Sequence, residues 1–153
     1  MNTATSDNIV GHIENTFSKN GIKLTQNRKK ILQLMASKQK ALSAYEISDL
    51  LKEIYKTSTP TMSVYRALDF LEQKELIHKI STLNKYTLCS HILCEHKHEI
   101  TQLLICLKCS KTIESSSNKS LNTELSKNLI SKGFHPNNKL LEIQGTCSEC
   151  YTR

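Results

Sequence analysis

Apolar residues recur at helical spacing in the N-terminal half of the chain. Ile9, Ile13 and Phe17 follow one another every four positions from Asp7 until Gly21, which predicts an amphipathic helix that ends at a left-handed glycine. Three further helix starts follow, each with its own signal: the cap Thr25, the capping box of Ser43 with Glu46, and Pro60. The apolar positions of these helices are Ile31, Leu32 and Met35; Ile47, Leu50 and Leu51; and Val64, Leu68 and Leu71. The pattern therefore predicts a helical N-terminal region.

The periodicity then changes from helical to alternating. Two short alternating runs, Leu76 to Ile80 and Tyr86 to Leu88, are separated by the five residues Ser81, Thr82, Leu83, Asn84 and Lys85, as in a β-hairpin. Closely spaced helices followed by a hairpin are typical of a winged helix-turn-helix, in which the last helix enters the major groove of DNA.

From residue 89 the composition shifts to Cys and His, and a second domain is predicted. Its expected elements are a strand over Ile100 to Ile105, a shorter one over Lys111 to Glu114, a polar turn over Ser115 to Ser120, a helix over Leu121 to Lys132 that ends at Gly133, and a strand over Leu140 to Gly145. The predicted class is α+β, with a winged-helix domain and hinge over 1–89 and a small α/β domain over 90–153.

The distribution of charge along the chain indicates a class of partner. The chain holds 21 Lys plus Arg against 14 Asp plus Glu, a formal charge of +7, and 13 of the basic residues precede Tyr86. A basic half favours a polyanion. Aromatic residues make up only 5% and Trp is absent, which argues against a stacking platform for single strands. Duplex DNA is the partner that fits both observations.

The location of the protein is also an expectation from the sequence. Neither an apolar signal core nor an apolar run of about 18 residues or more appears. We therefore expect a cytoplasmic protein that does not enter a membrane.

The fourth predicted helix offers a polar face for DNA. Opposite its apolar stripe lie Met62, Arg66, Asp69 and Gln73. An exposed arginine alone is usually only a solvated charge, but in a winged layout with a basic half it favours contact with DNA. The residues expected to contact DNA are Arg28, Tyr45, Tyr65 and Arg66.

Four cysteines carry the strongest chemical signal. Cys106 and Cys109 form one pair at two-residue spacing, and Cys147 and Cys150 form another. Four thiolates suit the tetrahedral geometry of a closed structural zinc site, and the alternative is four reduced cysteines without metal. The 37 residues between the pairs, 110 to 146, must hold a folded unit whose ends the metal joins.

A second group of ligand-type residues crowds the junction between the predicted domains. Its members are His78, Cys89, His91, Cys94, His96, His98 and Glu114. Each alone is as often structural as ligating, but a mixture of thiolate, imidazole and carboxylate prefers zinc to magnesium, calcium or manganese.

Such a group could also belong to a hydrolytic zinc enzyme with an open coordination position. Two signatures of that chemistry are absent: His-Glu-x-x-His, and Pro-Cys-x-x-Cys with an upstream His-x-Glu. A zinc ribbon that only binds other proteins would leave the basic winged half unexplained. We therefore expect a regulator without a small organic substrate, and not an enzyme.

Three segments of the N-terminal half resemble the DNA-binding domain of the ferric uptake regulator family. They are Leu24-Thr25-Gln26-Asn27-Arg28, Ser43-Ala44-Tyr45-Glu46, and Val64-Tyr65-Arg66-Ala67-Leu68-Asp69-Phe70-Leu71. The two Cys pairs resemble that family's dimerisation domain. Ile77-His78-Lys79 and Tyr86-Thr87-Leu88-Cys89 are most similar to the family's zinc uptake regulators.

The resemblance implies a homodimer that binds operator DNA when zinc is plentiful and represses zinc-uptake genes, with two zinc ions per subunit. By position it implies His78, Cys89, His98 and Glu114 as the regulatory ligands, with His96 as the alternative to His98. Lys139 stands where the iron sensors of the family carry a histidine ligand. The alternative is an iron, manganese or peroxide sensor of the same family. The sequence leaves open whether His91, Cys94 or His135 binds a further metal.

Overall fold

The computed structural model describes residues 3–90, 101–116, 119–136 and 140–152. The chain divides into two compact units, Met1–Cys94 and Glu95–Arg153. The described part of the first unit is mainly helical and the described part of the second combines a β-sheet with helices, so the predicted α+β class is confirmed. The roles assigned to 1–89 and 90–153 stay predictions. Among the described residues, no helix combines the length and apolar character that crossing a membrane requires.

The first unit begins with helices whose ends follow local signals. The helices are α1 (Thr3–Lys19), α2 (Gln26–Lys38), α3 (Ala44–Tyr55) and α4 (Thr61–Gln73). Gly21 follows α1 with a φ of 70°, a backbone angle that glycine adopts without steric cost. The hydroxyl of Thr25 accepts a hydrogen bond from the backbone N–H of Arg28, and both hydrogen bonds of the Ser43–Glu46 capping box are present. These predicted helix starts are confirmed.

The core of the first unit lies where α2, α3 and α4 pack together. Ile31, Ile47 and Leu68 are each 0% exposed, and α1 packs on α2 through Val10 and Ile13. The predicted apolar stripes therefore form one continuous core.

A two-stranded antiparallel hairpin completes the first unit. Its strands are β1 (Ile77–Ile80) and β2 (Lys85–Leu88), with His78 opposite Thr87. Leu42, just before α3, adds an isolated bridge to Tyr86. The winged helix-turn-helix layout is thus observed. The wing is the hairpin of β1 and β2, and it is bridged to the residues just before α3.

The second unit contains a three-stranded sheet in the order β4-β3-β5. Its elements are β3 (Thr101–Cys106), β4 (Thr112–Ser116), α5 (Lys119–Ser131), β5 (Leu140–Gly145) and α6 (Ser148–Tyr151). β3 pairs antiparallel with β4 and parallel with β5. The parallel pair requires a crossover, which α5 supplies.

Some predicted boundaries were wrong. The predicted turn over Ser115 to Ser120 is shorter, because Ser115 continues β4 opposite Gln102 and α5 already begins at Lys119. Backbone pairing with β3 outweighs the turn preference of serine here. α1 begins at Thr3 and not at Asp7, and the short helix α6 was not predicted.

Candidate nucleic-acid interface and metal centres

The α4 helix is fixed on one face and exposed on the other. Val64, Ala67, Leu68 and Leu71 are buried in the core, whereas Met62 and Arg66 are exposed. Because the buried face holds the helix rigidly, the direction in which Arg66 leaves the surface is set by the fold. The predicted outward position of Arg66 is confirmed.

Two tyrosines lie beside this face. Tyr45, near the start of α3, is 64% exposed, and its ring meets the ring of Tyr65 edge to face at a centroid distance of 6.4 Å. This T-shaped geometry is favourable for aromatic pairs. The structure therefore brings together two of the side chains predicted to contact DNA.

Arg28 has a partner that the sequence did not suggest. Its guanidinium lies 3.4 Å from the centroid of the Phe70 ring on α4, as in a cation–π contact. Arg28 thereby connects the first turn of α2 to the helix that carries Tyr65 and Arg66.

The four paired cysteines converge in the second unit. Their sulfur atoms all lie within 4.8 Å of one another, and the Cys109 and Cys147 sulfurs are 3.8 Å apart. A tetrahedron with zinc–sulfur bonds of about 2.3 Å has edges of about 3.8 Å. The thiols therefore have the spacing of a tetrahedral metal site.

Local backbone structure places these thiols. Cys106 ends β3 and Cys109 lies in the turn that follows, where the N–H of Ser110 donates to the carbonyl of Cys106. Cys147 is the N-cap of α6, and the N–H of Cys150 donates back to the Cys147 carbonyl. The parallel pairing of Cys106 with Gly145 brings the two turns side by side.

The thiols differ in their readiness to ionise. Backbone N–H groups of Cys147, Cys109 and Lys108 donate to the Cys106 sulfur and lower its pKa to about 6. Hydrogen bonds with the Cys147 and Cys109 side chains raise the pKa of Cys150 to about 12. At neutral pH the cluster therefore offers one thiolate first, and a metal that binds all four must displace the remaining protons.

Two lysines accompany the cysteine cluster. Lys108 Nζ donates to the Cys150 carbonyl oxygen at 3.0 Å, and Lys111 Nζ donates to Glu149 at 2.7 Å. Zinc with four thiolates would carry a net charge of −2, which the Lys108 ammonium would partly offset, whereas the Lys111 charge is already paired with Glu149. Both contacts were missed by sequence reasoning, although the two lysines flank Cys109 in the sequence.

In the first unit, a histidine and a cysteine meet at the base of the hairpin. Side-chain ligand atoms of His78, on β1, and Cys89, just after β2, lie within 4.8 Å of each other. The backbone N–H of Cys89 donates to the Leu76 carbonyl at 3.0 Å, which fixes the position of Cys89. Sulfur and imidazole are ligands that zinc prefers.

The other predicted regulatory ligands lie elsewhere in the chain. Glu114 belongs to the second unit, where it is half-buried on β4 opposite Leu103. His91, Cys94, His96 and His98 lie outside the described residues. His135 is exposed at the end of the α5 segment.

Comparison with known families and proteins agrees with this architecture. The model of the ferric uptake regulator family matches residues 19–144. The chain belongs to the ferric uptake regulator family. The resemblance seen in the helix and cysteine motifs is thereby confirmed.

Individual relatives within the family include zinc and iron regulators. The zinc uptake regulation protein of Escherichia coli K12 is 30% identical over 98% of this chain and 85% of its own length. The ferric uptake regulation protein of Helicobacter pylori strain 26695 is also 30% identical, but over 72% of this chain and 70% of its own length. A solved zinc uptake regulator in complex with zinc and DNA has a TM-score of 0.84 at 27% identity, and the match covers 97% of this chain and 96% of that one.

Proposed function

We propose that this protein is a zinc-responsive transcriptional repressor that binds operator DNA as a zinc-loaded homodimer and represses zinc-uptake genes. It acts in the cytoplasm as a regulator and not as an enzyme. The observation that carries the proposal is the rigidly anchored α4 with its exposed Arg66 in a member of this family. The relatives support zinc over iron, because the zinc regulator matches 98% of the chain and the iron regulator 72%.

The DNA contacts proposed for each subunit come from Arg28, Tyr45, Tyr65 and Arg66. Arg66 is suited to a bidentate contact with guanine in the major groove, because its planar fork matches the O6 and N7 acceptors. The exposed Tyr45 ring and the Tyr65 ring that it touches provide apolar and hydroxyl contacts beside it. Arg28 adds a positive charge for the phosphate backbone.

We propose that Cys106, Cys109, Cys147 and Cys150 hold the structural zinc. The spacing of the sulfurs and the low pKa of Cys106 support this assignment. A closed four-thiolate zinc site leaves no open coordination position, so its contribution is to folding and not to catalysis.

A second zinc ion per subunit is proposed as the signal. Its ligands are His78, Cys89, His98 and Glu114, with His96 as the alternative to His98. The closeness of His78 to Cys89 supports the first two, and the chemistry of the donors supports zinc as the metal. A metal bound by ligands from the hairpin and from the second unit favours the conformation in which all four can reach it.

A four-ligand zinc site can supply the binding free energy that such a conformational change requires. Moving a conformational equilibrium from about 1:99 to 99:1 takes about 5.5 kcal/mol of differential binding. We expect zinc to tighten DNA binding by orders of magnitude, because only the zinc-bound conformation sets both α4 helices of the dimer at the spacing of one DNA face.

Homodimer formation is proposed through the sheet of the second unit. Leu104, on the central strand β3, is paired with Ile113 on β4 and with Ile143 on β5. Side chains of paired residues project from the same face of a sheet, and these three are 37%, 48% and 43% exposed. A contiguous apolar stripe at a sheet centre is typical of an interface, and in this family we assign it to a second copy.

The proposal is tested by selecting duplexes from a random pool with the zinc-loaded protein and titrating the selected duplex against buffered free zinc, iron and manganese. Zinc should support tight binding at the lowest free concentration. Cys89→Ser should leave a folded dimer that retains its structural zinc and has lost the zinc response, with Ser90→Ala as the matched control. Unchanged zinc dependence in Cys89→Ser would place the switch elsewhere, and a stronger response to iron or manganese would favour the alternative sensor.

A further inference from the structure

The wing is joined to the N-terminus of α3 by backbone hydrogen bonds. The N–H of Leu42 donates to the Tyr86 carbonyl at 2.9 Å, and the N–H of Tyr86 donates to the Leu42 carbonyl at 2.8 Å. Tyr86 is only 1% exposed, so this bridge is anchored in the core. Leu42 is therefore held to the wing by one isolated antiparallel bridge.

One carboxylate lies at this junction and contacts both elements. Glu46 accepts a hydrogen bond from the backbone N–H of Ser43 at 2.7 Å, which caps α3. It also accepts from Lys85 Nζ on β2 at 3.3 Å. Burial raises the pKa of Glu46, but these hydrogen bonds and the Lys85 charge outweigh it, and the pKa is lowered overall.

The lysine of the second wing strand is paired within the protein itself. Lys85 contacts Glu46, and Lys79 Nζ lies 5.9 Å from the centroid of the Tyr86 ring. The turn between the strands, residues 81–84, carries no charged side chain. The cation nearest the wing turn, that of Lys85, is thus already paired within the protein.

The same junction adjoins a residue of the proposed DNA interface. Tyr45 immediately precedes Glu46 on α3 and contacts Tyr65 on α4. A wing that moved relative to α3 would shift the start of α3, and with it Tyr45.

We propose that Glu46 and Lys85 form a clamp that fixes the wing to α3 and thereby positions Tyr45 for DNA. This inference rests on the proposed function, since it concerns binding of duplex DNA. Lys85 is then a positioning residue that acts through Glu46, and it does not bind a phosphate.

The test compares Glu46→Gln and Lys85→Met in the full-length, zinc-loaded protein. Glutamine can serve at this position of a capping box, so Glu46→Gln retains the cap and removes the ion pair. Glu53→Gln and Lys52→Met, on exposed positions of the same helix, are the matched controls. Amide hydrogen exchange at Leu42 and Tyr86 is measured without DNA, and affinity for the selected duplex is measured over a range of salt concentrations.

Both clamp variants should exchange these two amides faster and should bind the duplex about 2- to 5-fold more weakly, the range that a partly exposed ion pair supports. The double variant should be no weaker than either single one, and the salt dependence of binding should be unchanged. The controls should resemble the wild type in both measurements.

Two results would overturn the inference. Wild-type exchange rates at Leu42 and Tyr86 in both variants would mean that the pair does not hold the wing. A salt slope reduced by about 0.9 in Lys85→Met alone, as expected for one lost phosphate contact, would make Lys85 a phosphate ligand. If the wild type bound no duplex, the proposed function would fail and the DNA role would fall with it, whereas the exchange rates would still decide whether the clamp exists.

Discussion

The two units of this protein bury very different amounts of apolar surface. The core cluster of the first unit extends from Val10 to Tyr86 and takes side chains from all four helices and the hairpin. Among the described residues of the second unit, the buried apolar side chains are Leu103, Ile105 and Cys106. That unit instead exposes Leu104, Ile113 and Ile143 on its sheet.

This difference suggests different sources of stability. A core of many buried side chains can hold a small domain by itself, because each fully buried Leu or Ile contributes about 1.5–3 kcal/mol. A small unit with few such residues needs a metal or a partner subunit. We expect the first unit to depend on its own packing and the second on zinc and on a second copy.

Loss of the cysteine cluster should have the largest effect. Cys147→Ser should unfold the second unit, since structural zinc contributes ~10 kcal/mol or more to folding, while the helices of the first unit remain. Zinc content and two-dimensional NMR of the full chain measure both effects, and Ser148→Ala on the same short helix is the control. A well-folded second unit without zinc would show that its packing suffices.

A charge on the exposed sheet stripe should have the next largest effect. Leu104→Glu should convert the dimer to monomer with the structural zinc still bound, because an unpaired carboxylate at the centre of an apolar interface is costly to desolvate. Analytical ultracentrifugation measures the association, and Lys127→Glu on the exposed part of α5 serves as the control. Persistence of the dimer in Leu104→Glu would mean that another surface joins the subunits.

Substitution of Arg66, on the exposed face of α4, should weaken DNA binding without lowering the stability of the first unit. Arg66→Ala should cost about 1–3 kcal/mol of operator binding if Arg66 contacts a base. It should leave the free energy of unfolding nearly unchanged, since exposed substitutions usually act within about 0.5 kcal/mol. Duplex titrations and urea unfolding check the two parts, with Gln73→Ala further along the same face as the control. Unaltered sequence preference would reduce Arg66 to a surface charge.

Protonation of Glu46 should have the smallest of these effects. The pKa of this carboxyl lies below its ordinary value of 4.5 in the folded chain, so the unfolded state binds the proton more readily. The stabilisation is therefore present above about pH 4.5 and is lost as the pH falls through the folded pKa. Intrinsic amide exchange slows as the pH falls over this range, so the comparison uses protection factors. The protection factors of the Leu42 and Tyr86 amides should fall more steeply from pH 6 to pH 3.5 in the wild type than in Glu46→Gln. The same pH dependence in both proteins would mean that the Glu46–Lys85 pair does not stabilise the wing.

Much of the first unit could be predicted because its signals are local. Thr25 and the pair Ser43 and Glu46 mark helix starts through hydrogen bonds that span only three residues. The outward position of Arg66 follows from the helical period and the apolar stripe opposite it. The two Cys pairs likewise lie in tight turns whose geometry depends on neighbours in the sequence.

Contacts between residues distant in the sequence could not be predicted in the same way. Nothing local to Arg28 indicates that its guanidinium stacks on Phe70, and nothing local to Lys85 indicates Glu46. The extension of β4 through Ser115 depends on its partner Gln102, which overrides the propensity of a serine run.

The sequence by itself determined the class of the fold, the starts of the capped helices, the two Cys-x-x-Cys pairs and the exposed face of α4, because each depends on periodicity or on residues a few positions apart. Only the tertiary structure decided the strand order β4-β3-β5, the apolar stripe through Leu104, the Arg28–Phe70 stack and the Glu46–Lys85 pair. These features join segments that are separated by tens of residues. Which residues meet in these contacts depends on the packing of the whole unit, and the sequence around each residue does not indicate its partner.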